Sequence, residues 1–236
     1  MTTVVYKREQ TYNQSDQQSC VVDSGQLHKV DKLSKGYRFV KRVFDILFST
    51  LVVVCCIVPC LGLSIAIMFD TKGSPIYTQE RVSKFGKPFK IYKFRTMVAD
   101  SDNIEKYFDE GDLAVWHREH KVQDDPRITQ LGAFLRETSL DELPQFINVI
   151  KGEMSVVGPR PITQEELRNF DGRVDELLSR RPGITGWWQT QSRNQASYET
   201  GERQELELYY IKHAGYAIDL RIIKDTFTAM IHRTGK

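Results

Sequence analysis

From Ile46 to Phe69 the chain carries no charge, whereas the residues on both sides return to a polar and basic pattern. Those 24 residues predict a helix of about 36 Å, enough to cross a bilayer. Pro59 lies inside the run, where it removes a backbone donor and crowds the preceding turn, so a kink or break is expected there. The flanks do not choose a side. Lys29, Lys32, Lys35, Arg38, Lys41 and Arg42 precede the run, and Lys72, Arg81, Lys84 and Lys87 follow it. A spanning helix carries its basic excess on one side, while two basic flanks suit a segment that enters and returns on the same face. The pattern leaves both topologies open, and in either case the flanks can meet anionic head groups.

Beyond this segment, Ile76 to Val82 and Phe89 to Phe94 are aromatic and branched around Lys84-Phe85-Gly86-Lys87-Pro88, which predicts a β-hairpin. The rest is patterned for helices. Leu140, Leu143, Ile147 and Ile150 recur at helical spacing, as do Leu167, Phe170, Val174 and Leu177, each predicting a buried stripe. Gly152, Gly158-Pro159-Arg160-Pro161 and Arg181-Pro182-Gly183 punctuate them. In the closing stretch Leu220, Ile223, Phe227, Met230 and Ile231 share one side, suited to core packing or to a membrane surface. There is no internal repeat and no alternating βαβ series, which argues against a Rossmann-type fold. The expectation is an α+β, mostly helical chain, with a polar tail over 1–36, a membrane segment over 37–72 and a catalytic domain over 73–236.

Composition changes little in this picture. With 236 residues, 40% hydrophobic, the chain has room for one ordinary domain and one active site. The net charge of +2 gives no sign of a nucleic-acid partner. Three of the four cysteines, Cys55, Cys56 and Cys60, sit in the apolar run and not at disulfide or zinc spacing, which fits a reducing compartment. The first 28 residues are polar, so no cleaved leader is expected.

The most informative stretch is Arg136-Glu137-Thr138-Ser139-Leu140-Asp141-Glu142-Leu143-Pro144-Gln145. Ser139 three residues before Glu142 reads as a capping box, predicting a helix start with Asp141 in its first turn and Leu140 and Leu143 on the buried face. Acids in a first turn complement the helix dipole without any catalytic role. The same helix end would also attract phosphate, and two adjacent acids can hold Mg²⁺ together with phosphate oxygens. Arg136 and Arg160 lie on either side in sequence, with the planar group suited to bidentate phosphate contact.

Lys93-Phe94-Arg95-Thr96-Met97, Asp125-Pro126-Arg127-Ile128-Thr129, the Ser139 to Gln145 stretch, Gly158-Pro159-Arg160-Pro161 and Arg181-Pro182-Gly183-Ile184-Thr185-Gly186 follow one another in this order. Together, from about Lys41 onward, they resemble the bacterial sugar transferases, the monotopic polyprenol-phosphate phosphoglycosyl transferases. The resemblance implies a re-entrant helix broken near Pro59, followed by a small catalytic domain on the cytoplasmic face of the bacterial inner membrane. It implies Asp141 as nucleophile on the phosphate that bears the sugar of a UDP-sugar, an aspartyl phosphosugar, and polyprenol (undecaprenyl) phosphate as acceptor. Asp141 and Glu142 would hold Mg²⁺. Arg136, Arg160, Pro161, Lys93, Arg95, Arg127 and Arg193 would line the phosphate and substrate site. Pro161 matches a family proline suited to a cis bond in a tight turn. Arg193 would belong to a loop over the nucleotide sugar between Gln189 and Tyr198. Lys93 and Arg95 fit a lipid-phosphate contact or a solvated hairpin face equally well. Relatives commonly read Leu-Asp-Leu-Tyr-Tyr where this chain has Leu206-Glu207-Leu208-Tyr209-Tyr210, which leaves the role of Glu207 open.

Two rival readings predict different things. A phosphohydrolase would hand an aspartyl phosphate to water, but the D-x-D loop usual in such enzymes is absent. A non-enzymatic membrane anchor would use the basic flanks and have no need of Asp141. Neither the sugar nor the oligomeric state is specified by the sequence.

Overall fold

The computed structural model describes residues 33–119, 122, 124–170, 172–192, 196, 198 and 200–231. It opens with one helix, α1 (Lys35–Thr71), whose N-terminus is capped by the Ser34 side chain accepting the Tyr37 N–H at 3.1 Å. The helix is continuous through Pro59, so the break expected there does not interrupt it. Each half of α1 is anchored to the rest of the chain. Near its start, Tyr37 and Lys41 both donate to Asp219 at 2.7 Å, and Asp45 accepts from the Ser155 hydroxyl and the Val156 N–H at 3.1 and 3.0 Å. Near its end, Ile67 is fully buried against Phe94 and Leu135, and the Thr71 carbonyl accepts the Ala99 N–H. Between these anchors Leu51, Val54, Ile57 and Val58 are exposed.

The hairpin forms as predicted. β1 (Ile76–Val82) pairs antiparallel with β2 (Pro88–Phe94), and Phe85 and Gly86 take positive φ in the connection. Then come α2 (Glu110–Glu119), α3 (Gln130–Thr138), a 3₁₀ turn (Leu140–Glu142), α4 (Gln145–Lys151) and β3 (Ser155–Val157). A further 3₁₀ turn (Glu166–Phe170) and α5 (Val174–Leu177) lead to β4 (Gly183–Thr185), α6 (Trp187–Gln191), α7 (Glu202–His213) and α8 (Tyr216–Ile231).

Strands β3 and β4 form a parallel pair that the sequence pattern did not reveal. Each has three residues, too few for an alternation signal, and the pairing depends on glycine. A Cβ on Gly183 would lie 2.1 Å from the Gly158 nitrogen, and one on Gly158 would lie 2.4 Å from the Arg181 carbonyl oxygen. The core gathers around this pair, with Val149, Met154, Val157, Leu208, Tyr210 and Ile222 essentially inaccessible.

Two of the stripes read from periodicity come out differently, and the third takes one of the two orientations it left open. Leu167, Phe170 and Leu177 are buried, but on two short elements separated by Gly172 at φ +71°. On α4, Ile147 and Ile150 are exposed while Val149, Gln145 and Asn148 are buried. Asn148 explains the rotation: its amide accepts the Tyr92 N–H and donates to the Lys90 carbonyl and Glu153, clamping α4 to the free edge of β2. On α8, Leu220, Phe227 and Met230 face outward, and Ile222, off the predicted stripe, is the buried residue. Helices with apolar residues on more than one face leave the choice to the surrounding packing.

Candidate active site

The turn that carries Asp141 and Glu142 is not the helix start that the capping box predicts. Ser139 adopts positive φ (57°) and its N–H closes the end of α3 onto the Arg136 and Leu135 carbonyls, while its side chain caps nothing. The acids therefore sit in a 3₁₀ turn between two helices. Asp141, expected to face away from the core, is buried to 8% exposure, and Leu140 and Leu143 are half-buried on the other side of the turn.

Lys93, on β2, donates to Glu142 at 3.1 Å and lies 4.0 Å from Asp141. The Asn148 clamp makes this possible, because it fixes α4, and with it the turn just before α4, against the strand that carries Lys93. Burial, and next the Glu142 charge, push the Asp141 carboxyl up to about 6, with Lys93 and Arg136 pulling the other way. Arg136 is the second cation near Asp141. Its Nε donates to the Thr96 hydroxyl at 2.9 Å, which fixes the guanidinium near Asp141.

A cleft runs from Lys93 and Glu142 to Gln145, Arg81, Arg160, Pro161 and Gln189. Three donors around it, Gln145 Nε2, Arg81 Nε and Arg160 Nε, are buried without a hydrogen-bond partner. An acceptor of the same cleft, Gln189 Oε1, is also buried without a partner, and unpartnered buried polar groups are costly, so several around one cleft mark a place for a polar ligand. Arg160 is held from behind. Glu207, 2% exposed, accepts the Arg160 backbone N–H with its carboxylate, and the guanidinium lies 5.3 Å from the Trp188 ring, whose other cation neighbour is Arg203 at 4.4 Å.

The cleft thus brings together Glu142, Lys93, Arg160 and Pro161, with Asp141 beside it, 4.0 Å from Lys93, and Arg136 near Asp141. The Pro161 peptide is trans, as are all those described. Two predicted residues lie apart from the cleft. Arg127 pairs with Asp125 through NH2 and Nε, donates to the Ser101 carbonyl and packs over Phe108 and Trp116, so its guanidinium is used internally. Arg95 donates to the Ser74 carbonyl beyond the end of α1. Arg193 lies outside the described residues. The sequence reading missed Arg81 and Gln145. Gln145 was within the quoted motif, but nothing in a linear pattern distinguishes a glutamine aimed into a cleft from a solvated one.

A family model described as bacterial sugar transferase matches residues 36–233. The chain belongs to the bacterial sugar transferase family. It is 41% identical over 201 residues to a UDP-galactose-lipid carrier transferase of Erwinia amylovora, covering 84% of this chain and 42% of that protein. It is 40% identical over 204 residues to the undecaprenyl-phosphate galactose phosphotransferase of Salmonella typhimurium, covering 85% and 42%. With the exopolysaccharide production protein ExoY of Sinorhizobium fredii it shares 39% identity over 193 residues, covering 80% of this chain and 84% of the relative. The chain thus spans about two fifths of the length of the first two relatives. The matched region of this bacterial sugar transferase contains every residue of the cleft.

Proposed function

We propose that this chain transfers a sugar 1-phosphate from a UDP-sugar to a polyprenol phosphate such as undecaprenyl phosphate, releasing UMP and initiating polysaccharide or glycoconjugate assembly. The observation that carries the proposal is the juxtaposition of a buried carboxylate, Asp141, with a cleft of unpartnered donors. The names of the relatives supply the chemistry that such a site would serve.

In the reaction an Asp141 oxygen attacks the phosphorus that bears the sugar. The bond from that phosphorus to the bridging oxygen breaks, and UMP leaves with the electron pair. The aspartyl phosphosugar is then attacked by a phosphate oxygen of the polyprenol phosphate, which restores the Asp141 carboxylate and yields the polyprenyl diphosphate sugar. Dividing one displacement into two is the benefit of covalent catalysis. Arg136, Lys93 and Arg160 hold the phosphate charge, and Gln145 and Arg81 donate to its oxygens. The dyad fits Mg²⁺: two adjacent carboxylates repel one another, and this ion binds through one or two carboxylates while keeping waters and substrate phosphates as its other ligands. When bound it would offset the charge of the diphosphate.

The topology proposed with this activity is re-entrant, on the cytoplasmic face of the inner membrane. A straight helix of the length of α1 would extend about 55 Å. Both of its halves nevertheless pack on the same catalytic domain, through Asp45 to β3 and through Ile67 to β2 and α3, with an exposed apolar middle. A helix with its two ends in opposite compartments could not keep both sets of contacts.

The test is to incubate detergent-purified protein with a panel of UDP-sugars and Mg²⁺, without polyprenol phosphate. UMP release together with the mass of one phosphosugar on the Asp141 peptide is the expected result. An adduct on another residue would overturn the assignment of Asp141.

A further inference from the structure

Two arginines from distant parts of the chain converge on the C-terminal end of α4. Arg42, on α1, donates to the Val149 carbonyl at 2.7 Å and to the Ile150 carbonyl at 3.0 Å. Arg181, two residues before β4, donates through Nε to the Gly152 carbonyl at 2.8 Å. Gly152 also lies against Arg42, since a Cβ on it would be 3.3 Å from Arg42 Nη2, and the two guanidinium groups are close enough to repel one another. A helix C-terminus carries roughly half of a negative charge, which one cation satisfies. The acid that acts on Arg181 is Asp45, which is already engaged with Ser155 and Val156. Arg181 spends only its Nε on the protein. Among the described residues its two terminal nitrogens have no partner.

The surroundings of this pair are apolar. Phe39 and Ile46, about one turn to either side of Arg42 on α1, are exposed, and so are Ile147 and Ile150 on the outward stripe of α4. Ile46 opens the uncharged run, so Arg42 stands one turn outside it, about 6 Å at the rise of an α-helix. With α1 seated in a bilayer, that is the level of the head groups. Arg38, a further turn out, is exposed and adds positive charge on the same side.

We propose that Arg42 and Arg181 form a site for the head group of an anionic phospholipid, whose acyl chains lie along Ile46, Ile147 and Ile150. The inference rests on the seating of α1 in a bilayer and not on the transfer reaction. A planar guanidinium with two free nitrogens matches the oxygens of a phosphodiester. The exposed isoleucines beside it select a lipid over a soluble anion, because only a lipid covers them as it meets the charge. The stripe of α4 that the Asn148 clamp turns away from the core thereby gains a partner. The site lies at the opposite end of α4 from Asp141 and Glu142, so it is separate from the carboxylate pair.

The test uses the full chain in a neutral detergent, mixed with equal amounts of phosphatidylglycerol and phosphatidylcholine of the same acyl chains, with retained lipid identified by native mass spectrometry. The unaltered protein should retain phosphatidylglycerol about fivefold over phosphatidylcholine or more, the effect of at least one basic side chain at an anionic surface. Arg181→Gln keeps an amide donor for the Gly152 carbonyl but has no charge, and should bring the ratio close to one. Lys106→Gln, on the loop paired with Asp100, should leave the preference intact. Phosphatidylglycerol with a diazirine on its head group should label peptides containing Phe39 to Ile46 or Ile147 to Gly152, which needs no variant.

Equal retention of the two lipids by the unaltered protein would overturn the inference, as would an undiminished preference in a folded Arg181→Gln protein. Labelling confined to other peptides would overturn it even if that variant did not fold. Displacement of the lipid by inorganic phosphate would overturn it in favour of a site for a small anion. UMP release is read separately, so a failure of the transfer activity and a failure of this site are distinguishable.

Discussion

Glu207 accepts the backbone N–H of Arg160 with both carboxylate oxygens, at 3.2 and 3.1 Å, from a position 2% exposed to solvent. The contact fixes the backbone of the cleft's arginine from inside the protein, which is a positioning role and gives a fully buried acid a hydrogen-bond partner. The reach of the Glu207 side chain brings both oxygens to the backbone of Arg160.

Burial pushes Glu207 up to about 7, with the Arg160 amide and the Arg203 charge pulling it down. A folded-state value above the ordinary 4.5 means that the folded chain binds this proton more tightly than the unfolded chain. Its contribution to stability is therefore full below about pH 4.5 and is lost as the pH rises to about 7. Asp141 adds the same trend only up to about 6. In Glu207→Gln the decline between pH 6 and 7 should disappear, as measured by urea unfolding at fixed temperature across that range.

The Asp141 carboxyl also sets the acid limb of activity. Asp141 must be deprotonated to attack, so the first half-reaction should rise with pH through about 6. Lys93→Met removes a charge that lowers this value and should move the limb to higher pH, whereas Glu142→Gln removes a charge that raises it and should move the limb lower. Rates of UMP release from pH 5 to 8 in the three proteins check the signs; a common limb would show that another group controls it.

Arg136→Ala and Arg160→Ala should each lower turnover by roughly two orders of magnitude, the usual effect of removing one charged contact to a reacting phosphate. Arg136→Lys should rescue little, because the bond that orients this side chain runs from Nε to Thr96 and a lysine has no equivalent donor. Melting temperatures close to that of the unaltered protein would separate this effect from unfolding.

Both ends of α1 should lie in one aqueous compartment. With Cys20, Cys55, Cys56 and Cys60 replaced by serine or alanine, cysteines at Lys35 and Ser74 should react with an impermeant maleimide from the same side of oriented vesicles. Lys35 leaves the Ser34 cap intact, and Ser74 is exposed. Opposite accessibility would establish a spanning helix.

What the sequence determined by itself was the set of parts. An uncharged run specified a helix long and apolar enough to cross a membrane, the aromatic segments around a turn specified the hairpin, and five ordered motifs carried the family. These signals are local, or are residues in a fixed order, and a single chain displays them. What only the tertiary structure decided was how the parts meet. The spacing of Ser139 and Glu142 suggested a helix start, but the backbone of Ser139 was instead needed to close α3, so the acids fell into a turn with Asp141 buried. The apolar stripe of α4 pointed outward because Asn148 had to satisfy the edge of β2. Arg127 carried the same side chain as Arg136, yet Asp125 claimed its guanidinium, while Thr96 left that of Arg136 facing Asp141. In each case the outcome depended on which partner a distant segment brought within about 3 Å, and hydrogen-bond competition of that range is not written in the spacing of residues along the chain.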